Sequence, residues 1–193
     1  MDREYDPLPI RELGVDAGFR RPTQPQAQRV DVESSALQVM TDLVRVSPAT
    51  IRPQAPLAGA NQFMITRGVR LLLVIDDNET ILGVITATDI LGEKPMLAAT
   101  GRGLRRDELT VADVMTPASQ VEVVALADVE SARVGHVLET LRRAGRQHAL
   151  VVERDGKVRG IFSLSQIARQ LGIALPGGGE VARTFSQIEA AIK

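Results

Sequence analysis

Apolar residues in this chain fall into two rhythms, one helical and one strand-like, and the same succession of rhythms occurs twice. Residues 71–75 and 81–85 are aliphatic runs separated by polar residues, which predicts a hairpin turning around Asp77-Asn78. Ahead of them, Leu57, Ala60, Phe63 and Met64 share one face of a helix over 57–67. A brief strand at 49–51 and a short helix at 35–40 precede that helix, and Thr86 opens another one after the hairpin. The order then returns. Residues 109–115 read as a helix that stops at Thr116-Pro117, because proline disfavours helical geometry in the residue before it. Residues 121–124 form a short strand. Val134, Val137, Leu138 and Leu141 fall at i, i+3, i+4 and i+7, and Gly145 is placed to end their helix in a left-handed cap. Strands at 149–153 and 157–162 flank Asp155-Gly156, and Ser163 opens a last helix running to about Gln170.

The recurrence is visible residue by residue. Residues 68–90 and 145–167 align without a gap, 77 positions apart, with Gly68/Gly145, Leu73/Leu150, Val74/Val151, Gly83/Gly160 and Ile90/Ile167 identical. Upstream, Val39-Met40-Thr41 matches Val114-Met115-Thr116 at an offset of 75. A unit of about 65 residues is marginal by itself, so two are expected to bury their faces against each other. The expected organisation is an arm at 1–34, a first unit at 35–97, a basic glycine-containing linker at 98–109, a second unit at 110–173 and a tail helix within 174–193. The tail carries Val181, Phe185, Ile188 and Ile192 on one face, which suits packing on its own domain or on a dimer mate.

Composition narrows the classes of function. At 193 residues, 44% hydrophobic, 24% charged and net charge −1, the chain reads as an ordinary globular protein. It has no basic footprint for nucleic acid. No apolar run approaches the roughly 20 residues that span a bilayer, so no membrane partner is expected. The acidic start, MDREYDPLPIRELG, lacks the apolar stretch of a secretory signal, and a cytoplasmic location is expected. Without cysteine there are no disulfides, thiolate catalysis or Cys-ligated zinc. His136 and His148 stand twelve residues apart on different elements, so no metal site is expected from them. No nucleophile–base pair or P-loop is visible, and Gly101-Arg-Gly103 lacks both a preceding strand and the G-K-[ST] ending. The chain is not expected to be an enzyme or to carry a catalytic cofactor.

One stretch has chemistry to offer. In Gly83-Val-Ile-Thr86-Ala-Thr88-Asp89 a strand meets a helix, where free backbone N–H groups and hydroxyls would suit an anion. The Asp89 carboxylate could accept from both hydroxyls of a ribose, and Gly83 would let a ligand approach the strand closely. Thr86-x-x-Asp89 is equally the pattern of a capping box, and Ser163-x-x-Gln166 repeats it. On local physics alone the cap is the simpler reading of both.

The pattern G-h-h-T/S-x-T/S-D after a hairpin, with a V-M-T segment ahead of each copy, resembles CBS domains, whose pairs are called Bateman modules. The resemblance covers roughly residues 35–172. It implies an α+β fold, a tandem pair of β-α-β-β-α units packed with pseudo-two-fold symmetry. It also implies a non-catalytic regulatory sensor with clefts for AMP, ADP, ATP or S-adenosylmethionine, more rarely a cyclic dinucleotide. By that resemblance Thr86 and Thr88 meet phosphate, Asp89 the ribose and Arg70 the phosphate, while the base lies against the segment from Val46 to Thr50. The second copy keeps Ser163 and Ser165 but has Gln166 for the aspartate and Gln147 followed by His148 for Arg70. A neutral amide loses a charge-assisted contact, a difference of about 1–2 kcal/mol, so the second site is expected to be weak or empty. A homodimer and a separate effector protein complete the expectation. An interaction scaffold that binds no ligand is the alternative.

Overall fold

The computed structural model describes residues 30–173 and 181–192. Residues 1–29 of the expected arm and 174–180 ahead of the tail helix lie outside them. A 3-10 turn at Ala36–Val39 leads into β1 (Thr41–Asp42) and then β2 (Thr50–Ile51). The first repeat continues through α1 (Leu57–Arg67), β3 (Leu71–Ile75), β4 (Ile81–Thr86) and α2 (Ala87–Leu91). α3 (Lys94–Arg102) follows, then α4 (Val111–Val114) and β5 (Thr116–Pro117). The second repeat comprises β6 (Val123–Ala125), α5 (Leu126–Ser131), α6 (Val134–Ala144), β7 (His148–Val152), β8 (Val158–Ser163) and α7 (Leu164–Gln170). α8 (Val181–Ile192) closes the described chain. The fold is α+β.

The two repeats are built alike in detail. β2 runs parallel to β3 through α1, and β6 runs parallel to β7 through α6. Each crossover helix ends on a glycine in the left-handed region, Gly68 at φ 65° and Gly145 at φ 61°, as a helix C-cap requires. The hairpins share their register, Leu71 opposite Thr86 and His148 opposite Ser163. Their irregularity also falls at the same point, after Val74 in one and after Val151 in the other.

The leading V-M-T segments do not stay with the copies they precede. β1 pairs with β8 and β5 pairs with β4, so the sheets are ordered β2-β3-β4-β5 and β1-β8-β7-β6. The exchange extends into the cores. Ala36 and Val39 pack among Val134, Leu141, Phe162 and Ile167 of the second repeat. Leu109, Val111 and Val114 pack among Leu57, Met64, Leu72 and Ile85 of the first. Burying those three side chains contributes on the order of 5 kcal/mol, too much for either segment to remain in solvent. Matching bridges, Ser35 with Arg133 and Pro56 with Thr110, mark the pseudo-two-fold relation. Between the sheets, Leu71, Leu73 and Val84 meet Leu150 and Ile161 in a third apolar cluster.

The structure departs from the sequence-based expectation in three places. The stretch expected as a linker is largely ordered into helix: α3 carries Pro95 in its first turn and ends on Gly103 at φ 63°. Gly103 falls within the glycine-containing stretch expected as a linker, but it is the stop signal of a helix that begins at Lys94. The strand expected at 121–124 is β6, displaced to Val123–Ala125. α5 was not expected at all, and it buries Val129. In the first repeat, Pro53 and Pro56 occupy the corresponding stretch, where each removes a helical N–H donor. In α8, Phe185 and Ile188 turn into the second repeat's core. The side chains of Val181 and Ile192 lie outside the described set.

Candidate functional site

The end of β4 and the start of α2 bring Thr86 and Asp89 together, and the capping box forms. The Thr86 N–H and hydroxyl both donate to Asp89 Oδ2, at 2.9 and 2.7 Å, and the Asp89 N–H donates to Thr86 Oγ1 at 3.2 Å. The Ala87 N–H donates to the Arg70 carbonyl at 2.9 Å. The expectation of several free N–H donors at this helix start is therefore corrected: those of Thr86, Ala87 and Asp89 are all satisfied within the chain. The physical reason is the Thr-x-x-Asp spacing itself, which lets the side chains answer the orphan backbone groups.

Asp89 has a further partner. Its other oxygen, Oδ1, lies 2.6 Å from Lys94 Nζ, with the Asp89 side chain 13% exposed and the Lys94 side chain 49% exposed. Lys94 also donates to Thr116 Oγ1 at 3.2 Å. A lysine from α3 and a threonine from the crossed strand β5 thus complete the surroundings of Asp89. Sequence reasoning missed both. Thr116 was visible as part of the repeated V-M-T, but its destination was not.

Gly83 proves to be needed by the chain itself. A Cβ there would fall on the Thr116 carbonyl oxygen, so the missing side chain is what allows β5 to lie against β4. Arg70 adjoins the helix start through its carbonyl contact with Ala87. Thr88 is exposed, Thr50 pairs opposite Leu73, and Val46 stands in the loop between β1 and β2 with 54% of its surface open.

The second copy repeats the backbone and changes the chemistry. The Leu164 N–H donates to the Gln147 carbonyl at 2.8 Å, as Ala87 does to Arg70. Ser163 and Ser165 lie 3.0 Å apart through their hydroxyls, and Ser163 does not cap its helix. Gln166 Oε1 accepts from Thr41 Oγ1 at 3.0 Å. Thr41 belongs to β1, so this site too is completed by the other copy's leading strand. His148 on β7 is partly buried. Burial and, after it, the Arg70 charge bring its pKa down from 6.5 to about 4, against the opposing pull of the nearby Asp89 carboxylate. The imidazole is therefore neutral at pH 7, and the two copies come close enough for residues of one to act on the other.

Two other features lie apart from this junction. A cavity of about 290 Å³ opens beside α5 and α6, lined by Val124, Val129, His136, Val137, Ala149 and Phe162, and includes none of the residues at the two strand-to-helix junctions. Arg106 donates to the Ile90 carbonyl at 3.2 Å. Among the described residues no His, Asp or Glu cluster is arranged to hold a metal ion, and no helix is long and apolar enough to cross a membrane.

Comparison with known proteins agrees with this architecture. The family model of the CBS domain matches twice, over residues 37–95 and 111–172. The chain belongs to the CBS-domain family. As a CBS pair, it is similar to a solved but uncharacterised conserved protein from Pyrococcus horikoshii, at 24% identity and a TM-score of 0.56, covering 77% of this chain and 100% of that one. It is also similar to the CBS-pair protein CBSX2 of Arabidopsis thaliana, solved in complex with AMP, at 25% identity and a TM-score of 0.51. That match covers 70% of this chain and 94% of CBSX2. A 17.7 kDa uncharacterised protein of Acidianus ambivalens is 26% identical over 122 residues, 63% of this chain and 65% of its own. The chain spans about a third to two thirds of the length of the curated relatives it matches.

Proposed function

We propose that this CBS pair is a non-catalytic regulatory sensor. It binds an adenine nucleotide or adenosyl ligand at the first repeat's strand-to-helix junction and signals to an effector protein through the packing of a homodimer in the cytoplasm. The observation that carries the reading is the grouping of Arg70, Thr86, Thr88 and Asp89 at one junction, in a fold whose neighbour CBSX2 is bound to AMP. In this reading Asp89 accepts from the ribose diol, Thr86, Thr88 and Arg70 face the phosphate, and Val46 and Thr50 flank the base side, while Gly83 serves the packing of β5 rather than the ligand. The second junction, with Ser163, Ser165, Gln166 and the neutral His148, presents no carboxylate and is the weaker site.

A second reading has its own support. Thr86 and Asp89 are fully partnered by each other and by Lys94, which is what a scaffold needing no ligand would show. A thermal-shift panel of AMP, ADP, ATP and S-adenosylmethionine separates the two, because a ligand that binds the native state raises Tm by mass action. At 100 times Kd the gain is about 2.7 kcal/mol, which is several degrees for a domain of this size. Asp89→Ala is expected to abolish the shift while Gln166→Ala leaves most of it. No shift with any of the four at millimolar concentration would establish the scaffold reading instead.

A further inference from the structure

We propose that Lys94 makes the first site selective for the charge on the 5′ substituent of an adenosine ligand, favouring phosphorylated nucleotides over neutral or cationic adenosyl compounds. The inference rests on the nucleotide-site reading above and goes beyond it by naming the residue that chooses among ligands.

Both oxygens of the Asp89 carboxylate are engaged within the chain. Asp89 Oδ2 is taken by Thr86, and Oδ1 is taken by Lys94 at 2.6 Å. A ribose diol that donates to Oδ1 competes there with the ammonium, and the exchange replaces an ion pair with hydrogen bonds from uncharged hydroxyls. Lys94 opens α3 and Pro95 follows it, so the backbone of the lysine stays in place while its half-exposed stem swings. The freed ammonium keeps Thr116 Oγ1 within reach but has lost its anion. A ligand with a 5′ phosphate supplies a new anion beside it. A ligand with a neutral 5′ group leaves the charge unpaired, and the sulfonium of S-adenosylmethionine adds a like charge.

The local charges have the sign this needs. Lys94 pairs with the Asp89 carboxylate, Arg70 and Asp89 both act on the neutral His148, and Glu93 next along the chain is exposed and screened by water. The second copy has none of these charges. Gln147 and Gln166 stand for Arg70 and Asp89, and counting on by the same 77 residues places Leu171 at the Lys94 position. Gln166 is held instead by a neutral hydroxyl, that of Thr41. The carboxylate and both cations are exchanged together, as they would be if they served one ligand.

Isothermal titration of AMP and adenosine tests the inference, because the two share base and diol and differ in the phosphate. Any general effect of freeing Asp89 cancels in the ratio of their affinities. The wild-type chain is expected to bind AMP at least tenfold more tightly than adenosine. Lys94→Met should shrink that ratio by about tenfold, and Lys94→Arg should preserve it. A ratio unchanged in Lys94→Met, with both ligands binding, overturns the role of Lys94 and leaves the nucleotide site intact. No heat with either ligand in the wild-type chain overturns the nucleotide site itself, and this inference with it.

Discussion

Glu79 holds φ 61° in the turn between β3 and β4, and 77 residues on the same turn places Gly156 at φ 82°. Asp76 Oδ1 accepts from the N–H groups of Asn78 and Thr80 at 2.9 and 2.8 Å, so the turn is held although its residue type is unfavourable. Glu79→Gly relieves the left-handed strain, less the extra freedom gained by the unfolded chain, and is expected to raise stability by about 0.5–1 kcal/mol in urea titration. His148 contributes to the pH response. Its folded pKa of about 4 lies below the 6.5 of the free side chain, so between those values the unfolded chain holds a proton that the native state refuses. Stability is therefore flat above pH 6.5 and falls as pH drops towards 4, by up to about 1.4 kcal/mol per pH unit from this one group. His148→Leu, which copies Leu71 at the matching position, should remove that slope in urea titrations at pH 4.5 and 7. At this scale the sequence displayed Thr86 and Asp89 as a pair. It did not display that Lys94 closes on Asp89, since nothing in a lysine five residues away says where its stem will point.

Repeats, hairpins and crossover helices were all legible, because each depends on a local period and on Gly68, Gly145 or a hairpin turn for its ends. The exchange of leading strands was not. Val39-Met40-Thr41 and Val114-Met115-Thr116 read the same whichever sheet they join, and only the shape of each core decides that Val39 fills one and Val114 the other. Gly83 shows the consequence. As a sequence feature it suggested room for a ligand, whereas in the fold it gives room to Thr116 of β5. Gly83→Ala is accordingly expected to cost about 1–3 kcal/mol in equilibrium unfolding, an overpacking effect present with or without nucleotide. An unchanged midpoint would mean that β5 can move away at no cost. Helix α3 was misread for a simpler reason: Gly101 and Gly103 are loop residues by composition, but Gly101 lies in the last turn of the helix and Gly103 caps it.

On the scale of the molecule the two repeats are unequal in what covers them. Helix α8 lays Phe185 and Ile188 on the second repeat, where Ala168 is fully buried, and Arg142 faces Glu189 at 3.9 Å. In the first repeat the matching positions are Leu91 and Ile65, each 65% exposed. This helical side, exposed among the described residues, is where the proposed homodimer would join, a second copy supplying the cover that α8 supplies elsewhere. Leu91→Glu combined with Ile65→Glu is expected to halve the mass measured by light scattering, while a charge at the buried Ala168 of the second repeat would destabilise the chain rather than split a dimer. The sequence by itself determined the repeated α+β grammar, the position of the Thr86–Asp89 junction and the loss of its carboxylate in the second copy. Each of these follows from residue type and short-range spacing. Only the tertiary structure decided which sheet each leading strand completes, that Lys94 and Thr116 enclose Asp89, and that Ile65 and Leu91 stand exposed while their counterparts meet α8. Those outcomes depend on which surfaces meet once the chain has folded, and contacts between residues far apart along the chain leave no period to read.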